Sequence, residues 1–309
     1  MPQEASALGT WRSLSNDFAN SIDRASRSVV AVHARRRIPS SGVHWRAGII
    51  VTADHTVERD EDITVTLPDG RNVPATLAGR DSTTDLAILK IDAGDLAVAE
   101  KNDAATLKAG NLLLATGRTV EGAVRTASAL VGVTGPALRT WQGGQLDVTV
   151  RLDRKLHPNL SGGPAIDDQG RAYGINTSGL SRLASLVIPA STVDRVSTEL
   201  EKKGHMGRAY LGVGMQPVRL SPKLQEALKL SSEIGIMIAG VESDGPAEKA
   251  GVMLGDVLVA LDGKPLNGLR NVQSFLIAAQ IGKTVKASII RGGALVEVAI
   301  TIGERPVAN

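Results

Sequence analysis

The sequence contains no cysteine, and this absence limits the chemistry open to it. Without cysteine there is no disulfide, no thiol nucleophile and no cysteine-ligated zinc site. Aromatic residues make up only 2% of the chain, so any core must be built mainly from Val, Ile, Leu and Ala. The lack of disulfides leaves the compartment open, because many exported proteins also have none.

Long apolar runs and a strong charge of one sign are also missing. The first 40 residues contain no signal-peptide core, and Met1-Pro2-Gln3-Glu4 begins acidic rather than basic. We therefore expect no membrane span, and a cytoplasmic protein, or a periplasmic or otherwise extracytoplasmic one whose leader has been removed. The net charge of +3 is too small to predict a nucleic-acid partner, and no aromatic residues that could stack on bases lie among the basic residues.

The length of 309 residues allows two or three domains, each with its own core. We predict an N-terminal segment over 1–27, a first domain over 28–204 and a second domain over 208–305. Leu14, Phe18 and Ile22 recur at spacing four, which predicts a short amphipathic helix over 13–27.

The first domain is dominated by short strand patterns separated by turns. Ile63 to Leu67 alternates apolar and polar residues and is followed by the turn Pro68-Asp69-Gly70-Arg71. Many short strands at regular spacing indicate a closed barrel or a sandwich. A helix over 191–203, ended by Gly204, closes the domain. The predicted strands cover 28–32, 48–52, 63–67, 86–91, 111–116, 122–133, 146–150, 172–176 and 185–188.

The second domain mixes helices and strands over about 100 residues. Arg291-Gly292-Gly293-Ala294 is typical of a hairpin turn. Helices are predicted over 221–228 and 269–279. Strands are predicted over 210–215, 235–241, 256–261, 283–291 and 295–302. The fold class is therefore mainly β, with a mixed α/β domain at the end.

One group of residues has the composition of a nucleophilic serine site. Such a site needs a serine, a base within hydrogen-bond reach and a carboxylate that orients the base. His55 follows a buried strand, Asp85 stands at the mouth of another, and Ser161 precedes the glycine pair 162–163. The glycines permit a tight turn that brings backbone close to a substrate. Asp81 is the alternative carboxylate, but Leu86-Ala87 directly after Asp85 favours Asp85.

Three segments resemble the signatures of the HtrA/Deg branch of chymotrypsin-like, or trypsin-like, serine proteases. They are Thr52-Ala53-Asp54-His55, Thr84-Asp85-Leu86-Ala87 and Ser161-Gly162-Gly163-Pro164. The resemblance implies two perpendicular six-stranded β-barrels with the active site between them. It implies peptide-bond hydrolysis with no cofactor and no metal. His55 would be general base and then acid, Asp85 the orienting carboxylate and Ser161 the nucleophile.

The strand after the nucleophile resembles the wall of the family's primary specificity pocket. By this resemblance Ile175, Asn176 and Thr177 line the pocket, with Leu183 and Leu186 from the following segment. No acidic side chain is present there to pair with Lys or Arg. We therefore expect small aliphatic residues at the cleavage site.

The second domain resembles a PDZ domain. Tyr210-Leu211-Gly212-Val213 resembles the carboxylate-binding loop, and the segments 245–252 and 255–258 resemble the central signature. The resemblance implies that peptide C-termini bind by strand addition. The helix over 271–279 would form the other wall, through Val272, Phe275 and Leu276.

One position departs from the family pattern. Asn159 stands where the family usually has the glycine whose N–H, with that of Ser161, forms the oxyanion hole. We expect that the Asn159–Leu160 peptide is not in its oxyanion-forming orientation at rest. Asn tolerates positive φ better than most residues, so the turn can still form.

Three classes of function follow. The first is an endoprotease acting on unfolded or damaged proteins in protein quality control. The second is a pseudoprotease that binds such chains without cutting them, and the third is a PDZ adaptor. The family resemblance also implies a possible homotrimer, formed through N-terminal aromatics such as Trp11 and Phe18.

Overall fold

The computed structural model describes residues 2–36, 38–207, 209–276 and 280–305. The chain divides into two compact units, Met1–Met206 and Gly207–Asn309. The first unit is built on two closed barrels, and the second on a five-stranded path of sheet with short helices. None of the helices in the described ranges is long and apolar enough to cross a membrane.

The first unit begins with helix α1 (Pro2–Ser26), which is longer than the predicted helix over 13–27. Phe18 and Ile22 pack against the core of the unit, as their spacing indicates. Trp11 is 71% exposed and Leu14 is 44% exposed. The first half of the helix was missed because it carries no apolar periodicity.

The first barrel closes through strands in the order β1-β2-β3-β6-β5-β4. Its interior is filled by alternating apolar residues, among them Val30, Ile50, Val65 and Leu89. Strand β2 was not predicted, because Ser, Gly, His and Arg interrupt its apolar residues. The strands are β1 (Val29–His33), β2 (Ser40–Arg46), β3 (Ile49–Ala53), β4 (Ile63–Thr66), β5 (Asn72–Asp81) and β6 (Leu86–Ile91).

The second barrel closes in the order β11-β14-β13-β12-β7-β8, and β9 and β10 form a separate two-stranded sheet. Leu113, Val131, Val150 and Val187 belong to its core. Two closed six-stranded barrels confirm the mainly β, chymotrypsin-like class. The strands are β7 (Leu112–Arg118), β8 (Val124–Gly135), β9 (Leu138–Arg139), β10 (Gln145–Leu146), β11 (Thr149–Leu152), β12 (Pro164–Ile166), β13 (Ala172–Thr177) and β14 (Leu186–Pro189).

Helix α2 (Ala190–Lys203) ends the barrel region. Val193, Val196 and Leu200 share its buried face, as the sequence predicted. Gly204, at φ 76°, ends the helix in the left-handed conformation that glycine adopts without a steric penalty.

The second unit is the mixed α/β domain expected from the sequence. Its main sheet runs β16-β17-β18-β20-β21, β19 pairs with β18, and β15 pairs with β22. Ile236, Leu258 and Val272 lie in its core. The elements are β15 (Ala209–Tyr210), β16 (Val213–Arg219), α3 (Pro222–Leu228), β17 (Ile234–Val241), α4 (Pro246–Lys249), β18 (Val257–Leu261), β19 (Lys264–Pro265), α5 (Leu269–Phe275), β20 (Thr284–Arg291), β21 (Ala294–Thr301) and β22 (Gly303–Glu304).

Two predicted elements of this unit differ in the structure. The single strand expected over 210–215 is divided into β15 and β16, because Gly212 adopts φ 73° between them. Helix α5 ends at Phe275 rather than near 279, and residues 277–279 lie outside the described residues.

Candidate active site

Strand ends of the two barrels bring His55, Asp85 and Ser161 together. His55 lies in a 3₁₀ helix (Asp54–Thr56) directly after β3. Asp85 directly precedes β6, and β3 pairs with β6 so that Ala53 faces Leu86. The antiparallel pairing therefore puts His55 and Asp85 at the same end of the first barrel. Ser161 comes from the second barrel, just before β12.

The carboxylate of Asp85 holds the ring of His55 through one nitrogen. Asp85 Oδ2 and Oδ1 lie 2.8 Å and 3.0 Å from His55 Nδ1. Oδ1 also accepts the backbone N–H of His55 at 2.8 Å, and the hydroxyl of Thr177 donates to Oδ2. This arrangement favours a proton on Nδ1, which leaves Nε2 free to act as a base.

The other two acidic residues of this region bind elsewhere. Asp81 accepts hydrogen bonds from the hydroxyls of Thr83 and Thr84, as a turn residue does. Asp54 forms an ion pair with Arg80 at 2.6 Å. Burial raises the pKa of Asp54, against the opposing effect of the Arg80 guanidinium. Neither carboxylate has a hydrogen bond to the His55 ring within the described ranges.

Ser161 does not hydrogen-bond directly to His55 in the described part of the chain. The hydroxyl of Ser178 lies between them, with its Oγ 3.0 Å from Ser161 Oγ and 3.3 Å from His55 Nε2. Ser178 was not predicted from the sequence. Its position directly after Thr177, at the end of the presumed pocket strand, was the only available signal.

The backbone before Ser161 forms a 3₁₀ helix (Pro158–Leu160) that uses both expected oxyanion donors. The N–H of Asn159 is directed at His157 Nδ1 at 3.4 Å, the longer of two contacts made by that nitrogen. The N–H of Ser161 donates to the carbonyl of Pro158 at 3.3 Å. The oxyanion hole predicted from the sequence is therefore closed in this conformation.

The peptide that closes the hole is not the one expected from the sequence. The carbonyl oxygen that accepts the Ser161 N–H is that of Pro158. The reversed peptide is therefore Pro158–Asn159 and not Asn159–Leu160. The carbonyl of Asn159 points away and accepts the hydroxyl of Ser41 at 2.7 Å. Asn159 does not have a positive φ, so the turn before Ser161 does not use the tolerance of Asn for that conformation.

The glycine pair after Ser161 is required by the protein's own backbone. Gly162 has φ 85°, and a Cβ there would collide with the carbonyl oxygen of Ser41. A Cβ on Gly163 would collide with the carbonyl oxygen of Thr116. In this conformation the backbones of two neighbouring strands, and not a substrate, lie close to the two glycines.

The presumed pocket residues on β13 are all nearly inaccessible. Ile175, Asn176 and Thr177 are each at most 1% exposed. The amide nitrogen of Asn176 donates to the carbonyls of Gly163 and Pro164, so this side chain fastens β13 to the segment after Ser161. Of the two leucines predicted beside them, Leu186 is 2% exposed and Leu183 is 87% exposed. Leu183 therefore does not join the buried wall.

The loop Tyr210–Val213 in the second unit presents backbone N–H groups. The carbonyls of Leu211 and Gly212 accept the N–H groups of Ala247 and Glu242, each at 2.8 Å. The N–H groups of Leu211 and Gly212 donate to no partner within the described residues. Two adjacent donors are thus available to an anion beside β16.

Helix α5 supplies only part of the wall predicted opposite this loop. Val272 is fully buried in the core of the unit and does not reach the surface. Phe275 and Leu276 are partly buried and pack on the same core. These two side chains are therefore the remaining candidates for apolar contacts with a peptide.

Comparisons with known proteins agree with this arrangement. Residues 40–175 match the model of the trypsin-like peptidase domain, and residues 209–302 match the PDZ domain. A serine protease Do-like HtrA of Lactobacillus helveticus is 31% identical over 269 residues, covering 82% of this chain and 65% of the relative. A probable periplasmic serine endoprotease DegP-like of Halomonas elongata is 30% identical over 277 residues, covering 88% and 57%.

Solved structures give the same assignment. The HtrA-type protease AlgW with a decapeptide superimposes with a TM-score of 0.74 at 27% identity, covering 94% of this chain and 99% of that one. The serine endoprotease from Yersinia pestis gives 0.73 at 27% identity, covering 94% and 98%. The chain spans between about half and two thirds of the curated relatives it matches. The chain therefore contains a trypsin-like peptidase domain and a PDZ domain, and over most of its length it is similar to HtrA-type serine proteases.

Proposed function

We propose that this protein is a serine endopeptidase that hydrolyses unfolded or damaged polypeptides in protein quality control. The observation that carries the proposal is the hydrogen bond that His55 Nδ1–H donates to the carboxylate of Asp85, beside Ser161. The carboxylate fixes the tautomer in which Nε2 accepts a proton, which is what activation of a serine hydroxyl requires.

In the proposed reaction, His55 Nε2 takes the proton of Ser161 as its Oγ attacks the peptide carbonyl. The N–H groups of Asn159 and Ser161 then stabilise the oxyanion, once the Pro158–Asn159 peptide has turned round. His55 returns the proton to the leaving amine. Water completes hydrolysis of the acyl-enzyme in the same way, so no metal or cofactor is part of the scheme.

A second candidate is a catalytically weak or inactive pseudoprotease with a chaperone-like or PDZ binding role. It is favoured by one observation, the closed oxyanion hole in which Ser161 N–H donates to Pro158. A ligand that binds only the open form shifts this balance by its differential affinity for the two forms. We therefore favour a switchable enzyme over an inactive one.

The test is the reaction of the full chain with a fluorophosphonate probe and with casein. We expect the wild type to be labelled and to cleave casein. Ser161→Ala should lose labelling, and either Ser161→Ala or His55→Ala should lower kcat by roughly three or more decades, because triad members act as a unit. Labelling that persists in Ser161→Ala would refute the nucleophile. Casein binding without cleavage by the wild type would support the pseudoprotease.

We further propose that small aliphatic residues such as Val, Ala or Ile precede the cleaved bond. The supporting observation is the absence of Asp and Glu from 175–186, which leaves no carboxylate in this segment to pair with Lys or Arg. Because one methylene changes discrimination by only about 1–3 kcal/mol, selectivity should be modest. Mass spectrometry of the cleavage sites tests this, and a dominant preference for Lys or Arg would contradict it.

The assignment of 1–27, 28–204 and 208–305 as N-terminal segment, protease domain and PDZ domain is part of the same proposal. In the possible homotrimer, Trp11 is the exposed candidate for contact with another copy, since Phe18 packs on the chain's own core. The Halomonas relative is named periplasmic, which favours the extracytoplasmic alternative. Sedimentation of wild type and Trp11→Ala, and fractionation of cells, test these two points.

A further inference from the structure

The hydroxyl of Ser178 occupies the gap between the proposed nucleophile and its base. Its Oγ is 3.0 Å from Ser161 Oγ and 3.3 Å from His55 Nε2. No direct hydrogen bond joins Ser161 and His55 in the described part of the chain. Ser178 is half-buried and directly follows Thr177, whose hydroxyl binds the Asp85 carboxylate.

The backbone around Ser178 is fitted against the His55 ring. The N–H of Gly179 donates to Thr177 Oγ1 at 2.9 Å. The segment is thereby hydrogen-bonded to the same hydroxyl that donates to the Asp85 carboxylate. A Cβ on Gly179 would lie 2.6 Å from His55 Nδ1 and 2.8 Å from Asp85 Oδ2. Only glycine fits so close to the imidazole, so the position of Ser178 follows from the path of the chain.

This position is incompatible with a direct proton transfer from Ser161 to His55. A serine hydroxyl has one proton and donates it to one acceptor at a time. While Ser161 and Ser178 share a hydrogen bond and Ser178 occupies Nε2, His55 cannot take the Ser161 proton directly. In the later step Nε2–H must reach the leaving amine, and while Ser178 Oγ lies 3.3 Å from Nε2 that proton has a competing acceptor.

We propose that Ser178 is a positioning residue that keeps Ser161 and His55 apart at rest and must move away before the first proton transfer. The proposal rests on the proposed function of Ser161 and His55. If Ser178 keeps the two residues apart, removal of its hydroxyl should activate the protein. If Ser178 instead relayed the proton from Ser161 to His55, the same removal would inactivate it.

The experiment compares rates of fluorophosphonate labelling of the full chain. Ser178→Ala should be labelled about two- to tenfold faster than wild type, which is the usual net effect of one neutral hydrogen bond. Ser178→Thr keeps the hydroxyl and should be labelled close to the wild-type rate. Ser181→Ala is the matched control, because its hydroxyl accepts the N–H of Leu183 in the same segment and binds neither Ser161 nor His55.

Thermal unfolding of each variant separates this role from a structural one, since the midpoint should change little when the labelling rate rises. Ser178→Gly tests the same loss if Ser178→Ala does not fold. An unchanged or slower labelling rate in Ser178→Ala, or an equal increase in Ser178→Thr, overturns the proposal about Ser178. The proposed function still stands in that case, provided that Ser161 is labelled. If no variant is labelled, both the proposal and the proposed function fail.

Discussion

The hydroxyl of Ser41 donates a hydrogen bond to the carbonyl oxygen of Asn159 at 2.7 Å, between residues 118 positions apart. The same Oγ accepts the N–H of Arg118 at 3.1 Å, and the N–H of Ser41 donates to the carbonyl of Ser161 at 3.2 Å. The hydroxyl of Thr52 donates to the Ser41 carbonyl at 2.7 Å. One fully buried residue of the first barrel thus fixes the segment that carries the proposed nucleophile in the second.

Removing the Ser41 hydroxyl should therefore affect both stability and activity. Ser41→Ala leaves the Asn159 carbonyl and the Arg118 N–H without this partner, at a cost of about 1–3 kcal/mol for a buried polar group. We also expect kcat to fall by about one to two decades, because the loop before Ser161 loses its anchor. Urea unfolding and turnover of a small peptide measure the two effects.

Ser40→Ala is the matched control for that prediction. Ser40 is also fully buried on β2, but its hydroxyl has no hydrogen-bond partner among the described residues. Removal of this hydroxyl should leave kcat near the wild-type value. Equal losses of kcat in the two variants would mean that β2 tolerates no change, and the anchoring role of Ser41 would be withdrawn.

The contrast between Ser40 and Ser41 also explains what the sequence could and could not predict. His55, Asp85 and Ser161 stand beside apolar strand patterns, in segments that resemble the signatures of a known protease family, and it was this resemblance that predicted their proximity. The pairing of Ser41 with Asn159 depends on how the two barrels meet, and nothing nearby in the sequence distinguishes Ser41 from Ser40.

The fold was predicted best where apolar residues alternate and least well where polar residues are buried. Strand β6 and the buried face of helix α2 correspond to their predicted patterns. Strand β2 is buried almost throughout although it includes His44 and Arg46, so alternation did not reveal it. The orientation of the Pro158–Asn159 peptide is a choice between two local conformers, which residue types do not settle.

The PDZ unit should recognise the charge at the end of a peptide. The two unused N–H groups of Leu211 and Gly212 can bind a carboxylate, and hydrogen bonds to a charged group contribute about 1.5–3 kcal/mol each. Amidating the C-terminus of a micromolar peptide ligand should therefore weaken binding at least about tenfold. Acetylating the N-terminus of the same peptide is the control and should leave binding unchanged. Calorimetric titration of the full chain with the three peptides decides the matter, and equal affinity of amide and acid would exclude carboxylate recognition.

The second unit also contains an ion pair that should make its stability depend on pH. Arg291 binds both carboxylate oxygens of Asp256, at 2.9 Å and 2.8 Å, and Asp256 is 2% exposed. The hydrogen bonds from Arg291, aided by the Met253 N–H, lower the pKa of Asp256 below its usual value, against the opposing effect of burial. Because the folded pKa is lowered, the stabilisation is present above the unfolded pKa of about 3.9. It is lost as the pH falls through the folded value.

This pH dependence can be tested by measuring the midpoint of thermal unfolding of the wild type and of Asp256→Asn in the full chain. The difference between their midpoints should be present at pH 7 and should shrink as the pH falls from about 4 through the lower pKa of folded Asp256, below which neither protein carries the charge. Asp69→Asn is the control, since the exposed Asp69–Arg71 pair should contribute little. A difference that stays constant down to pH 2 would show that the ionised pair is not the cause.

The closed oxyanion hole predicts an activating substitution at Asn159. Opening the hole requires the Pro158–Asn159 peptide to turn over, which changes ψ of Pro158 and φ of Asn159 together. Asn159 now lies in a 3₁₀ helix with negative φ, so the reversal carries it into the positive region. That region costs a non-glycine residue of order 1–2 kcal/mol, with Asn near the low end, and costs glycine almost nothing.

The open hole should therefore be more populated in Asn159→Gly than in the wild type. We expect basal turnover of a small peptide substrate to rise, by up to about five- to thirtyfold, and activation by PDZ-binding peptides to decrease correspondingly. The strain removed is smaller than the roughly 2.7–4 kcal/mol that one oxyanion donor contributes, so we expect the wild type to be switchable rather than inactive.

Asn159→Ala separates the backbone effect from the loss of the side chain. It removes the contact between the Asn159 amide oxygen and His157 Nδ1, which are 2.6 Å apart, but keeps the Cβ that disfavours positive φ. Basal turnover should therefore rise in Asn159→Gly and much less in Asn159→Ala. If both variants rise equally, the contact with His157 holds the hole closed rather than the backbone of Asn159. If Asn159→Gly is unchanged or slower, the wild-type residue already reaches the open geometry without a penalty, and regulation at this peptide is ruled out.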